Sequence, residues 1–600
     1  MAQIKYIKKT KTSTETEKDA TMGPKKATRA ASEAAKPKAN TKAKVTKRAP
    51  SPTSQKPAAK ANGTTKTAGR PRATKSKKED AAETDGETET KSTKVKGTAA
   101  TKKAPAKKGP ATTNGTTSTT KASRKRKADD DEAPAAPAKK VKVLAKGPVL
   151  VEPPTQRLNV YVFGEGTAGE LALGTAKNAV DVKRPRLNPN LSAQTVGVTQ
   201  LAAGGMHAIA ITHDNKILTW GVNDQGTLGR ETEWEGGLKD MDDNASDSDS
   251  DDAEDNGLNP KECTPGEVDW SSTELAEGTR FVQVAAGDSS SFVLTDDGRV
   301  YGWGTFRSND GIFGFIEGVK VATRPVLIPG LKNVTDIKAG ANHALAMDTK
   351  GAVFAWGSGQ QNQLGRRIIE RTKEKALTPT EFGLPKGPKK GIVSIETGSY
   401  HSFAIAKTGE VWAWGLNNFG ETGIMDNAGQ DDAVIINPKV VSALTGKNII
   451  SIKGGGHHSL AATESGECLI WGRIDGSQTG IAEEDIAKLP ADAVIKDEQG
   501  RPRILAAPQM VSAIKGEVAH VTTSSDHNIV ITKDGKAWSW GFSANYQTGL
   551  GTDDDVPVAT MIDNTAVREQ KLNYATTGGQ FSIITSPAAT ADGDAEMTNA

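Results

Sequence analysis

Few side chains in this 600-residue sequence are spaced for bond chemistry. It has no Gly-rich phosphate loop ending in Lys-Ser, no serine elbow and no paired Cys/His spacing for a metal. His457 and His458 are adjacent, but consecutive strand residues point to opposite faces, so they are not expected to share an ion. Neither a cofactor nor a metal is expected, and the chain is not expected to be an enzyme of bond chemistry. What it offers is recognition. One column of a repeated strand holds His207, Ser290, His343, His401, His458, His527 and Phe581. A type shared by most copies builds the repeat, so these rings are expected to bond backbone inside each unit. The column before it varies: Met206, Ser289, Asn342, Tyr400, His457, Asp526 and Gln580. Two positions before, the residue is small except for Asp288. Variation within a rigid frame suits a surface that faces a partner, which singles out Asp288, Asn342 and His457. Arg366 follows Gln363-Leu364-Gly365 and is a further candidate, although Arg230 holds the same place in its own copy and a plain loop role is open to both.

The elements that position these residues are repeats. An aromatic-Gly pair opens a polar loop at Phe163-Gly164, Trp220-Gly221, Trp303-Gly304, Trp356-Gly357, Trp414-Gly415, Trp471-Gly472 and Trp540-Gly541, with intervals of 57, 83, 53, 58, 57 and 69 residues. Before each pair from Trp220 onward lie two apolar runs joined by a turn such as Asp297-Gly298 or Asp534-Gly535, a hairpin signal because these turns need positive φ. Helical spacing is absent, so the repeats are all-β. Units that cannot bury their own faces and recur seven times predict a seven-bladed β-propeller. Leu158–Gly174 carries only the second half of a repeat and Asn573–Ile584 only the first, so together they close the ring and remove exposed sheet edges. From the aromatic-Gly glycine to the small residue closing the loop is eight positions in six copies. In the copy at Gly304 it is ten, to Gly314. Asn309-Asp310-Gly311 is turn chemistry, so the surplus predicts a small protruding hairpin.

Charge divides the chain. Residues 1–150 hold 38 Lys/Arg and 14 Asp/Glu, a net of +24, whereas the remainder nets −20. Residues 1–155 lack the apolar content to offset chain entropy and are expected to form a disordered basic tail, with the propeller over 156–586 and a short disordered tail over 587–600. A flexible polycation binds DNA phosphate by counterion release. Arg124, Lys125, Arg126 and Lys127, then Lys139, Lys140 and Lys142, read as a bipartite signal for a nuclear import carrier. Arg70 and Arg72 in Gly-Arg-Pro-Arg are similar to a minor-groove hook. The 83-residue interval contains an acidic block with Ser246, Ser248 and Ser250, expected to be a disordered insertion at about 231–262. A second long interval, Glu483 to Arg503, carries no functional signal. Two cysteines, Cys263 and Cys468, argue against a disulfide scaffold, and no apolar run is long enough for a membrane span.

The Gly-Gly-x-His-x-hydrophobic strand and Trp-Gly-x-Asn-x-x-Gln-x-Gly loop resemble those of the regulator of chromosome condensation family. The resemblance implies a propeller bound to chromatin, DNA and histones included, that acts in the nucleus as a guanine-nucleotide exchange factor for the small GTPase Ran. It implies that Phe306, Arg307, Ser308, Asn309, Asp310, Gly311, Ile312 and Phe313 form the family's β-wedge, which presses beside the GTPase phosphate-binding loop. Asp288, Arg366 and His457 match an Asp, an Arg and a His important for exchange, and Glu317 matches an acidic residue. Asn342 replaces an Asp and Phe581 a His. A chromatin scaffold without exchange activity is the alternative. An exchange factor for another GTPase at a membrane conflicts with the import signal.

Overall fold

The structure, a computed structural model, describes residues 144–235 and 257–589. Seven antiparallel sheets follow one another around a ring. The first blade is built from Val198–Ala203, His207–Thr212, Ile217–Gly221 and Gly266–Glu267. Later blades begin at Phe281–Ala286, Val334–Ala339, Ile392–Thr397, Ile449–Gly454 and Val518–Thr523. The seventh joins both ends of the repeat region: Tyr574–Thr577 and Phe581–Pro587 pair with Leu158–Glu165 and Asp181–Leu187. Its central register runs from Leu158 opposite Pro587 to Gly164 opposite Phe581, which closes the ring by main-chain hydrogen bonds as the split repeat predicts.

The second strands are buried, completely at His207–Thr212, His401–Ala406 and His527–Thr532 and up to the last residue at His343–Asp348 and Phe581–Pro587. These strands are covered on both faces by neighbouring blades, which is why they alternate small and large apolar residues instead of apolar and polar ones. The third-strand aromatics Trp220, Trp303, Trp356, Trp414, Trp471, Trp540 and Phe163 are fully buried between blades. The interval with no signal adds a short helix, Glu483–Ile486, and a strand, Val494–Lys496, that extends the fifth blade by pairing with Pro502–Met510.

Three boundaries shift from expectation. Residues 144–155, assigned by composition to the tail, lie against the second blade. Lys146 pairs with the buried Asp296, Gly147 N–H donates to Asp297 Oδ2 at 3.0 Å, Leu150 N–H donates to Asp296 O at 2.6 Å, and Val151 packs on the core. The acidic insertion has ordered feet. Asn259 Nδ2 donates to Thr232 O at 2.7 Å and Thr232 Oγ1 to Glu262 Oε1 at 2.9 Å, so both ends of the excursion are tied together at its base. At the other end, Ala588 N–H donates to Arg157 O at 2.8 Å and carries the chain past Pro587. Residues 1–143, with Arg70, Arg72 and the import-signal clusters, lie outside the described residues, as do the acidic block at 236–256 and residues 590–600. Both cysteines are free and buried. Among the described residues no helix is long and apolar enough to cross a membrane.

Candidate functional site

In an up-and-down blade, the turn between strands one and two and the connection between strands three and four open on the same face. Asp288, Asn342 and His457 stand on such turns, and the predicted hairpin on such a connection, so all four share one face. Backbone hydrogen bonds join the turns of neighbouring blades at six of the seven junctions around the ring. Gly205 N–H donates to Gly287 O, Asp288 to Ala341, Ala341 to Ser399, Ser399 to Gly455, Gly456 to Ser525 and Gly579 to Gly205, at 2.8–3.3 Å. This close approach explains the small-residue column: a Cβ on Gly205 would lie 3.3 Å from Asp288 Cα. Asp288 is thus a member of the ring whose side chain reaches solvent.

The histidines do not bond backbone inside their own blade, as expected from sequence; they bond the next one. Nε2 of His207, His343, His401 and His527 meets the hydroxyls of Ser291, Ser402, Ser459 and Ser582 at 2.7–2.9 Å, and His458 meets Asn528 Oδ1 at 2.7 Å. Ser291, Ser459, Asn528 and Ser582 in turn donate to loop carbonyls of the histidine's own blade: Thr227, Glu421, Gln478 and Gln547. With the hydroxyl proton so used, Nε2 must carry the imidazole proton. Burial holds these rings neutral, with His207 and His458 lowered to about 4 and His343 and His527 to about 3. The same class of loop carbonyl accepts from the next blade's indole: Trp220 to Glu170 O, Trp303 to Thr227 O, Trp414 to Gln363 O, Trp471 to Glu421 O and Trp540 to Gln478 O, at 2.7–3.0 Å. The two copies without His face alanine in the next blade: Phe581 stands before Ala208 and Ser290 before Ala344. At the first, a ring with no hydroxyl to meet is replaced by one that needs none; at the second, Ser290 Oγ is itself buried without a partner among the described residues.

At the junction of the second and third blades every part of this latch is missing. Ser290 replaces the His, Ala344 the Ser, and the Trp356 indole N–H is buried without a partner among the described residues. The missing carbonyl belonged to the loop that the hairpin replaces. In the other six blades that loop closes on a left-handed residue (Ala172, Gly229, Gly365, Gly423, Gly480 and Gly549, φ 55–77°), whereas Gly314 has φ 144° and belongs to a strand. Phe306–Ser308 pairs with Gly311–Gly314 across an Asn309-Asp310 turn, as the two-residue surplus predicts. Aromatic packing substitutes for the latch: Phe292, Phe306 and Phe315 stack at 5.7–6.0 Å and Trp356 sits edge-on to Phe292 at 5.7 Å.

These facts sort the predicted residues. Phe306 is fully buried in that stack, so it anchors the hairpin and cannot itself meet a partner. Arg307 and Ile312 are cross-strand partners and both exposed, as are Asn309 and Asp310 at the tip; Ser308, Gly311 and Phe313 are half-buried. Crowding at the ring holds the Asp288 carboxyl above the usual aspartate range, opposed by the charge of Arg307. Asp288 in turn raises Tyr400, after burial. Asn342 Oδ1 accepts from Arg307 N–H at 2.7 Å. Glu317 is exposed, with Thr378 Oγ1 at 3.5 Å. Arg366 is turned inward, against expectation. Its Nη1 donates to Ala355 O at 3.0 Å, Nη2 is buried without a partner among the described residues, and burial lowers the group to about 10. Arg230 clips Thr219 O in the same way at 2.9 Å, so this arginine is first a clip for its own loop. His457 Nδ1 lies 3.4 Å from Glu421 Oε1 and its ring packs on Phe419 at 4.9 Å. Arg473 and Arg503 lie over the same Phe419 ring at 5.1 and 4.9 Å, a cationic corner suited to acidic groups. Sequence gave no signal for it, because Arg503 arrives from the unassigned interval.

The arrangement has no nucleophile with a base. Among the described residues no group of three or more His, Cys, Asp or Glu is placed to hold a metal. Its chemistry is a rigid annulus of polar side chains with one hairpin that exposes an apolar residue, Ile312, beside Arg307, Asn309 and Asp310. A family model described as RCC1-like domain matches residues 159–584. The chain is 42% identical over 436 residues to Protein pim1 of Schizosaccharomyces pombe, covering 72% of this chain and 76% of that one. It is 38% identical over 434 residues to Guanine nucleotide exchange factor SRM1 of Saccharomyces cerevisiae, covering 71% and 87%. The crystal structure of Prp20p from Saccharomyces cerevisiae, titled for its binding to Gsp1p and histones, superposes with TM-score 0.65 at 34% identity, covering 74% of this chain and 94% of that one.

Proposed function

The chain belongs to the RCC1-like domain family, and on that premise we propose that it is a guanine-nucleotide exchange factor for the small GTPase Ran, acting in the nucleus from chromatin. The observation that carries this reading is the hairpin, raised on the same face as Asp288, Asn342 and His457 at the one blade junction that has given up its whole polar latch. Exchange needs no acid or base. A face that binds the nucleotide-free GTPase more tightly than the loaded form favours release by that difference in affinity alone. Arg307, Asn309, Asp310 and Ile312 are the hairpin residues free to press on the partner, while Asp288, Glu317 and His457 hold it. In a GTP-rich pool the emptied site refills with GTP. SRM1 is a guanine-nucleotide exchange factor and Prp20p binds Gsp1p and histones, which supports the same assignment here. The basic tail would hold chromatin and carry the import signal; a crystal structure of yeast RCC1 (Prp20) bound to Kap60 supports a carrier as partner.

The test is release of a fluorescent guanine nucleotide from purified Ran, with the full chain, a chain lacking residues 1–143, and one lacking Asn309 and Asp310. Release that survives tail loss and fails on hairpin shortening supports exchange. Unchanged spontaneous release with all three, and intact chromatin pelleting by the full chain, leaves a scaffold.

A further inference from the structure

The hairpin is a two-stranded ribbon, and one of its two outer edges faces the third blade. Phe306–Ser308 uses one edge to pair with Gly311–Gly314, so the N–H groups of Arg307 and Asn309 point away from its partner strand. Such an edge is normally left to water or to a third strand. Here both N–H groups are met by side-chain oxygens of the third blade. Asn342 Oδ1 accepts from Arg307 N at 2.7 Å, and Gln360 Oε1 accepts from Asn309 N at 2.8 Å. The hairpin's own blade grips its root through Thr305, whose N–H donates to Ser289 O at 2.8 Å and whose Oγ1 donates to Lys320 O at 2.8 Å, and its second strand through Lys320 Nζ, which donates to Phe313 O at 3.1 Å; neither contact reaches the outer edge of Phe306–Ser308. Leu377 of the third blade's connecting loop packs into the same core cluster as Phe306 and Phe315, and a Cβ on Gly314 would meet its Cδ1 at 2.8 Å.

We propose that Gln360 and Asn342 are positioning residues that splint this outer edge of the hairpin to the third blade and so set the angle at which it meets the GTPase. The proposal rests on the exchange reading above and adds Gln360 as a determinant of its rate. Two amide oxygens, accepting from the N–H groups of Arg307 and Asn309, stand in for the carbonyls of a missing third strand. Without the splint, the ribbon still pairs internally but pivots about its root, and a displacing element misplaced by an ångström forfeits rate while ground-state binding persists.

Single-turnover release of a fluorescent GDP analogue from Ran, followed across exchange-factor concentrations, separates maximal rate from half-saturation. Gln360→Ala and Asn342→Ala are expected to lower the maximal rate by about 3–10-fold with half-saturation within about twofold. Gln360→Glu and Asn342→Asp, which keep an acceptor oxygen, are expected to restore most of the rate. Hydrogen exchange provides a readout independent of the GTPase: the amides of Arg307 and Asn309 are expected to be protected in the parent chain and to exchange faster in Asn342→Ala and Gln360→Ala respectively. Unchanged amide protection in both alanine variants would overturn the splint, as would a rise in half-saturation at constant maximal rate, or failure of both acceptor-keeping variants to restore the rate. Lost protection together with no acceleration of release over the spontaneous rate by the parent chain would uphold the splint and sink the exchange reading instead.

Discussion

Ser459→Ala tests whether the inter-blade relay is a source of stability or only a recurring geometry. Ser459 Oγ receives His401 Nε2–H at 2.7 Å and donates to Glu421 O at 2.8 Å. The His401 Nδ1 atom has no partner among the described residues, so the substitution leaves a fully buried imidazole with neither nitrogen bonded. The Glu421 carbonyl keeps the Trp471 indole at 3.0 Å, so most of the loss falls on the histidine. An unpaired buried donor costs about 1–3 kcal/mol. Adding His401→Phe to Ser459→Ala removes the stranded donor and copies the Phe581–Ala208 pair that already closes one junction of this ring. The double variant is therefore expected to recover part of the loss, with a coupling of about 1–2 kcal/mol. Denaturant midpoints by tryptophan fluorescence at matched slope measure all four corners of the cycle. A Ser459→Ala midpoint equal to the parent, or losses that simply add, would refute the relay.

Three further outcomes follow from the same geometry. Trp356→Phe deletes an indole N–H that has no partner among the described residues and is expected to cost about 1 kcal/mol less than Trp414→Phe, which breaks a 2.9 Å bond to Gln363 O; equal losses by denaturation would contradict this. Acid should weaken the propeller. Burial lowers His207, His458 and His520 to about 4 and His343 and His527 to about 3, so the folded state binds fewer protons than the unfolded one. Their contribution is whole above about pH 6.5 and drains by up to ~1.4 kcal/mol per group per pH unit as pH falls toward the folded values, readable as a falling Tm between pH 6.5 and 4. Truncation before residue 144 should leave Tm unchanged. Truncation through Val151 should lower it by about 2–4 °C per kcal/mol lost, since it removes Lys146 from buried Asp296 and Leu150 from the same turn.

Much of this was written in the chain. Seven aromatic-Gly phrases at intervals of 53–83 residues determined a seven-fold ring, because a unit that cannot bury its faces must repeat until it closes. The split first and last repeats determined which strands close it. A loop ten residues long where six others have eight determined the hairpin and its turn, because loop length selects the connection. Even the face followed, since strand order alone puts first turns and third connections together. What the tertiary structure decided was which side chains meet across blades. Local sequence held nothing to say that the histidines reach a hydroxyl 55–84 residues onward, that Arg366 folds inward while Gln360 reaches the hairpin, or that Phe306 is core. Those assignments depend on distances between strands far apart in the chain, set only when the ring closes and each blade's edge is pressed against the next.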